Sequence, residues 1–216
     1  MSEPSHAAAV ADLLGLYSSI QLAAFTRLAK DAEHAPDLPG QVTISRMAAG
    51  ELAHLDELER LARELGADFY DTTARFADLL GDLDRRTAPG DWWERLMKTY
   101  VAYGMLADLQ RALSADLDKT LRAVVEEILA DNGYADYVVA TVGPVAAADP
   151  QLKARLALWG RRVVGEALGI VQRALEEHPG LLGALPEGGE ADAAGRVRNQ
   201  LTSGHARRMD RLGLTA

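Results

Sequence analysis

The sequence predicts an all-α, single-domain bundle of long helices. Hydrophobic residues make up 48% of the 216 residues and aromatic residues only 6%, a composition typical of Ala/Leu-rich helices that share one core. Apolar residues recur at steps of three and four, and no convincing alternating strand or internal repeat interrupts this helical period. Two small domains would also fit the length, but one domain spanning residues 1–216 is the simpler interpretation.

The first half of the chain is predicted to contain two long helices and a crossover. The first helix extends over about 5–33 and the second over about 41–65, and a shorter crossover helix covers about 73–83. In the second helix, Glu51 and His54 fall on the apolar stripe. Two ionisable residues are therefore expected to face the interior.

Four further helices are predicted in the second half, over about 91–114, 118–144, 150–177 and 190–212, with a loop over 180–189. Asp91, Asp118 and Asp149 each stand where a side-chain oxygen can cap a helix N-terminus, and Gly133 is a weak point inside the fourth long helix. The core bundle is expected over about 5–147, followed by additional helices over about 149–212.

The composition restricts the compartment and the available chemistry. Because the chain has no Cys, any metal must be bound by oxygen or imidazole, and a reducing compartment is compatible with the sequence. The N-terminus lacks the basic region of a signal peptide, and the sequence shows no apolar run that approaches the roughly 20 residues needed to span a bilayer. We therefore expect a cytoplasmic protein without a membrane partner.

The charge is unevenly distributed along the chain. The net charge of −9 gives no general attraction for nucleic acid, but ten Lys/Arg stand against seven Asp/Glu from Gln151 onward. We interpret these C-terminal arginines, Arg208 and Arg211 among them, mainly as solvated helix faces and ion-pair partners. For His205, approach to the cavity from the last helix is one alternative, and a buried histidine with its hydrogen bonds satisfied is the preferred expectation.

Several segments resemble one known family. Four long helices with a crossover after the second are the plan of ferritin-like di-iron proteins, which use Glu-x-x-His pairs such as Glu51-Leu52-Ala53-His54. The family that the chain resembles over nearly its whole length is the ferritin-like one related to MiaE, the tRNA-modifying hydroxylase. The segments that carry this resemblance are 21–25 (QLAAF), 85–92 (RRTAPGDW), 156–162 (LALWGRR), 165–168 (GEAL) and 205–209 (HARRM). The resemblance implies a ferritin-like four-helix bundle with two additional C-terminal helices.

The same resemblance implies an altered metal site. Family members typically have Glu at the position of Gln21, Asp at the position of Tyr103 and His at the position of Tyr134, while Glu51, His54 and Asp131 match the expected ligands. Three of the six expected ligand positions have therefore changed. Two ferrous ions carry a charge of +4, which the two remaining carboxylates, Glu51 and Asp131, cannot balance.

Three states of this site remain open. No functional metal is the first expectation, one ion held by Glu51, His54 and Asp131 the second, and two irons the third. The sequence thus favours no cofactor, with iron as the alternative. Without metal, the cavity is expected to accept a small organic molecule, with five candidate acid/base residues, Glu51, His54, Tyr103, Asp131 and Tyr134, and three further pocket residues, Gln21, Tyr17 and Tyr100.

The function follows from these alternatives. The preferred interpretation is a divergent MiaE-like protein that binds or transforms a small organic molecule without di-iron chemistry, for example as a cyclase-like or isomerase-like enzyme. The alternative is an iron- and oxygen-dependent hydroxylase of the MiaE-like type, for which tRNA stays open as a partner. A structural or iron-storage role ranks last. Apolar faces on the fifth and sixth long helices are compatible with a homodimer.

Overall fold

The computed structural model describes residues 6–115, 117–130, 132–183 and 190–216. Within these residues the chain is helical and contains no β-strand, which confirms the predicted all-α class. The helices are α1 (His6–Glu33), α2 (Leu38–Glu64), α3 (Phe69–Ala74), α4 (Ala77–Arg86), α5 (Trp92–Ser114), α6 (Lys119–Ile128), α7 (Tyr134–Ala148), α8 (Pro150–Glu177), α9 (Gly180–Gly183) and α10 (Glu190–Arg211).

Helix α2 begins earlier than the predicted Gln41. Asp37 is extended and its Oδ1 accepts a hydrogen bond of 2.7 Å from the Gly40 backbone N–H, while a proline occupies the first turn. An aspartate cap followed by proline is a strong helix start, because the cap satisfies a free N–H and proline needs no N–H partner. Helix α1 then packs along α2 more extensively than any other pair of described helices.

The crossover is two helices, so the prediction of one helix over 73–83 was wrong in its bounds. Helix α3 ends at Ala74 and α4 begins at Ala77. Between them Phe76 is fully buried, and its ring lies 4.3 Å from the ring of His178, measured between centroids. Burying this large aromatic ring contributes to the stability of the core, and the break between the helices lets it point inward.

The predicted fourth long helix is also broken. Helix α6 ends at Ile128 and α7 begins at Tyr134, with Gly133 at φ +82° immediately before α7. A left-handed residue cannot continue a right-handed helix, and glycine adopts this conformation without a Cβ clash. The weak point recognised at Gly133 is therefore a complete interruption. Asp131 lies in this interruption but outside the described residues.

Helix α5 is the central element of the bundle. It contacts α1, α6 and α7 as well as the two C-terminal helices α8 and α10. The Trp159 indole N–H on α8 donates to the Glu94 carbonyl on α5 at 2.8 Å, and apolar side chains from α1 to the end of α10 form one connected core. The C-terminal helices thus share the core of the preceding bundle.

Helix α1 corrects one expectation from the sequence. The segment Ala7–Glu33 is long and apolar enough to cross a membrane by length and composition. The prediction that the sequence has no apolar run of this length was therefore wrong. Most of its apolar window is buried inside the protein, where it faces α2, α3 and α5. Packing in the bundle core accounts for this apolar composition.

Candidate functional site

A cavity of about 310 Å³ lies in the bundle interior. Gln21 of α1, Glu51 of α2, Tyr103 of α5 and Tyr134 of α7 all line it. These four residues come from four helices, and all four were predicted as site residues from the sequence. The fold therefore brings four positions that are distant in the sequence to one cavity. The apolar part of the lining comes from Ile20, Ala24, Leu28, Ala107, Ile128, Leu129, Ala130 and Ala135, and further polar side chains complete it.

Glu51 is held by a residue that sequence reasoning missed. Its Oε1 accepts a hydrogen bond of 2.6 Å from Asn132 Nδ2, and Asn132 Oδ1 accepts one of 3.0 Å from the Tyr134 backbone N–H. Asn132 thus connects the carboxylate on α2 to the start of α7. Asn132 was hidden in sequence because the helix was predicted to continue through it.

His54 lies beside Glu51 but outside the cavity lining. Its Nδ1 is 3.7 Å from Glu51 Oε2, which is too long for a hydrogen bond, and this nitrogen is buried without a partner in the described residues. His54 is therefore close enough to influence the Glu51 carboxylate, and only Glu51 of the pair contacts the cavity.

The two cavity tyrosines tie helices together. The Tyr103 hydroxyl donates to the Ala23 carbonyl of α1 at 3.1 Å, and the Tyr134 hydroxyl donates to the Leu96 carbonyl of α5 at 3.4 Å. Burial is the main cause that raises the pKa of both phenols above the ordinary value. Both side chains consequently stay protonated near neutral pH and act as neutral hydrogen-bond donors.

The other two proposed pocket tyrosines differ from each other. Tyr100 lines the cavity, and its hydroxyl donates to the Arg208 carbonyl at 3.3 Å. Tyr17 is fully buried and does not line the cavity; its hydroxyl donates to the Gln110 carbonyl at 2.9 Å, and burial raises its pKa. Tyr17 thus lies in the packed core next to α5, because its position on α1 faces the Gln110 backbone.

A buried ionic cluster formed by Arg27, Asp31, Asp84 and Lys98 packs near the cavity. Asp84 pairs with Arg27 and, at 2.8 Å, with Lys98. The Asp31 carboxylate pairs with Arg27 at 3.8 Å and accepts 2.7 Å from the hydroxyl of Thr99, a cavity residue. Burial raises the pKa of Asp31 and lowers that of Lys98. Sequence reasoning missed this cluster, because charged residues on long helices are normally assigned to the solvent face.

Three arginines also line the cavity: Arg111 on α5 and Arg208 and Arg211 on α10. The Arg208 side chain is only 14% exposed, and its Nη2 donates to Asp108 Oδ2 at 2.7 Å. Of the two roles predicted for the C-terminal arginines, solvated face or ion-pair partner, Arg208 has the second: it is an ion-pair partner on a largely buried face. The signal that could have placed it was its phase on α10, one residue before the fully buried Met209 and three after buried His205.

A family model described as "Ferritin-like domain, actinomycetes" matches residues 4–188. The chain belongs to this ferritin-like family. No curated protein sequence matches the chain significantly. The family match ends before α10, so the arginines that α10 adds to the cavity of this ferritin-like domain come from outside the matched residues.

The described residues of the ferritin-like domain do not fit a pair of irons. Glu51 is the one carboxylate among the described cavity residues, and the tyrosines keep their protons at neutral pH. Across the described ranges, no three His, Asp or Glu side chains form a group that could hold a metal ion. A charge of +4 has too few anionic donors here. The set Glu51, His54 and Asp131 stays a prediction, because Asp131 lies outside the described residues.

Proposed function

We propose that this protein is a divergent, MiaE-like member of the ferritin-like fold that binds a small organic molecule in its bundle cavity without di-iron chemistry. One observation carries the proposal: residues from four helices, Gln21, Glu51, Tyr103 and Tyr134, line a single cavity of about 310 Å³. The segments that resemble the MiaE-like family support the placement in that branch.

The size and chemistry of the cavity suit an organic ligand. Small-molecule sites typically enclose about 300–1,000 Å³, with apolar walls and a few fixed polar groups. Here apolar atoms form the larger part of the cavity surface, polar groups from α1, α2, α5, α7 and α10 form the rest, and the Glu51 carboxylate is oriented by Asn132. A ligand group that donates a hydrogen bond would pair with Glu51, while the apolar walls would contact the rest of the molecule.

Proton transfer at this site would fall to Glu51, with His54 beside it at 3.7 Å. The tyrosines are poor acids and stay neutral because burial raises their pKa, and their hydroxyls already donate to backbone carbonyls, so they would position a ligand by accepting hydrogen bonds. We also propose a cytoplasmic location, because a chain without Cys is compatible with a reducing compartment. A homodimer is the assembly that the proposal includes. Nucleic acid, including tRNA, is not a partner in this proposal.

The test uses the neutral apolar dye N-phenyl-1-naphthylamine, whose fluorescence rises in apolar surroundings. We expect saturable binding to the wild-type protein at one site per chain. Ala107→Phe places a ring inside the cavity wall, so it should weaken dye binding by at least tenfold. Ala53→Phe adds the same ring on the exposed face of α2 and should leave the affinity unchanged. Equal affinities for all three proteins would refute the cavity as the binding site.

A second measurement addresses the iron-dependent alternative. The purified protein is incubated anaerobically with ferrous iron, desalted and analysed for metal content. We expect fewer than two irons per chain, because the described donors cannot balance two ferrous ions. Two irons per chain, retained after desalting and lost in Glu51→Gln, would overturn the proposal and favour the hydroxylase.

A further inference from the structure

The cavity has a cationic wall where α5 meets α10. Arg111 and Arg208 share the single carboxylate of Asp108, with N–O distances of 3.5 Å and 2.7 Å. Arg211, the third arginine of this wall, pairs with Asp136 at 2.6 Å. Among the described residues, the guanidinium groups of Arg111 and Arg208 thus share one carboxylate, so this pair carries one more positive charge than Asp108 balances.

Two N–H donors on the same wall lack an acceptor. Arg208 Nε and Gln110 Nε2 are buried and have no hydrogen-bond partner in the described residues, although both side chains line the cavity. A buried donor without an acceptor costs free energy that an acceptor oxygen from a ligand would recover. Gly104 leaves room for the Arg208 side chain at this wall, since a Cβ on Gly104 would lie 2.8 Å from Arg208 Cδ.

The opposite sign of charge is kept apart from this wall. Glu51 makes no ion pair within 4.0 Å with any of the three arginines in the described structure. If a ligand carried two negative charges and one bound the arginines, the other would lie near the Glu51 carboxylate, which repels it. A ligand with one negative charge and an apolar body matches the cavity best.

We propose that the ligand is a small organic acid, and that its carboxylate binds at the wall formed by Arg111, Arg208 and Gln110. The apolar body of the acid contacts Ile20, Ala24 and Leu28 on α1. This inference rests on the proposed function, since it names the ligand class for the same cavity. It also assigns a role to α10, which lies outside the family match.

The experiment compares two dyes that differ by one acidic group. 1-Anilinonaphthalene-8-sulfonate is N-phenyl-1-naphthylamine with a sulfonate, a monoanion that stands in for the carboxylate. We expect the anionic dye to bind the wild-type protein about tenfold more tightly than the neutral dye, because hydrogen bonds to charged groups are the stronger kind. Octanoate should displace either dye better than the neutral octanamide or the dianionic octyl phosphate.

Variants assign the preference to residues. Arg111→Gln and Arg208→Gln should each reduce the preference for the anionic dye by about tenfold, while Arg208→Lys should retain part of it. Arg63→Gln removes a charge from an exposed side chain on α2 and should change nothing. Arg111 is half-exposed, so its variant is expected to fold even if the buried Arg208 does not tolerate glutamine. Circular dichroism checks the fold of each protein.

The outcomes separate the two proposals. Cavity binding of the neutral dye with no preference for the anionic dye would overturn the organic-acid inference and leave the proposed function intact. A preference that survives both Arg111→Gln and Arg208→Gln would also overturn it. Neutral-dye binding that Ala107→Phe does not weaken would instead refute the cavity itself, and tighter displacement by octyl phosphate than by octanoate would replace the carboxylate with a phosphate ligand.

Discussion

Gly204→Ala tests the packing between α5 and α10. A Cβ on Gly204 would overlap Asp108 Oδ2 and lie 3.0 Å from Asp108 Cγ. The carboxylate cannot simply turn away, because Arg208 and Arg111 hold its two oxygens and its side chain is only 10% exposed. The substitution should therefore push Asp108 out of its ion pair with Arg208.

The sign of the effect follows from two opposing contributions. Alanine is more favourable than glycine inside a helix by about 1 kcal/mol. Loss of a hydrogen bond between charged groups costs about 1.5–3 kcal/mol. Gly204→Ala should then lower the free energy of unfolding by about 0.5–2 kcal/mol. Gly195, also on α10, has nothing within 4 Å of a built Cβ, so Gly195→Ala should raise it by up to about 1 kcal/mol.

Urea unfolding followed by circular dichroism measures both variants against the wild type, and equal slopes with urea show that only stability has changed. In an Asp108→Ala background, no carboxylate overlaps the new Cβ, so Gly204→Ala should become stabilising like Gly195→Ala. If Gly204→Ala stabilises the wild-type protein as much as Gly195→Ala does, the placement of Asp108 against α10 is wrong.

Three other predictions concern single positions. Gly15→Ala should destabilise the protein by about 1–3 kcal/mol, because its Cβ would lie 2.5 Å from the Thr72 backbone oxygen. An unchanged free energy of unfolding in urea would contradict the close approach of α1 and α3. The raised pKa of Tyr103 means that its stabilising effect is full below the unfolded pKa of about 10 and is lost as the pH rises above it. Tyr103→Phe should therefore flatten the decline of the unfolding free energy at alkaline pH by up to about 1.4 kcal/mol per pH unit. An equally steep decline in both proteins would show that the phenol ionises normally. Burial and the nearby Arg208 lower the pKa of His205, so the contribution of His205 to stability is present above the unfolded pKa of about 6.5 and is lost as the pH falls below it. Plots of unfolding free energy against pH for wild type and His205→Gln should therefore converge toward acid pH. Parallel plots would exclude a lowered pKa of His205.

The helical frame was predictable because its signals are local. Apolar residues at steps of three and four gave the long helices, and Asp91, Asp118 and Asp149 each cap a helix in the structure as predicted. The breaks were harder, since Phe76 and Gly133 interrupt helices for reasons of tertiary packing and backbone conformation. Sequence period alone does not show which large side chain must turn into the core.

The site was only half predictable. Gln21, Glu51, Tyr103 and Tyr134 could be grouped because the family resemblance relates positions on four helices. Asn132 and Arg208 could not, since one lies in an unpredicted break and the other on a helix beyond the family match. His205 shows the same limit: it is buried as expected, but both ring nitrogens lack a partner in the described residues, contrary to the expectation of a satisfied histidine.

The cavity can persist without an ion because neutral groups connect its helices. Tyr103 links α5 to α1 and Tyr134 links α7 to α5, each through a backbone carbonyl, while Asn132 links the start of α7 to Glu51 on α2. The resemblance implies carboxylate and imidazole ligands at the two tyrosine positions, which would need a cation to balance their burial. A phenol that donates to a carbonyl needs none, because it is buried uncharged and its hydrogen bond is satisfied. These hydrogen bonds therefore hold α1, α2, α5 and α7 around the cavity without a cation, which is what the proposed metal-free site for an organic molecule requires.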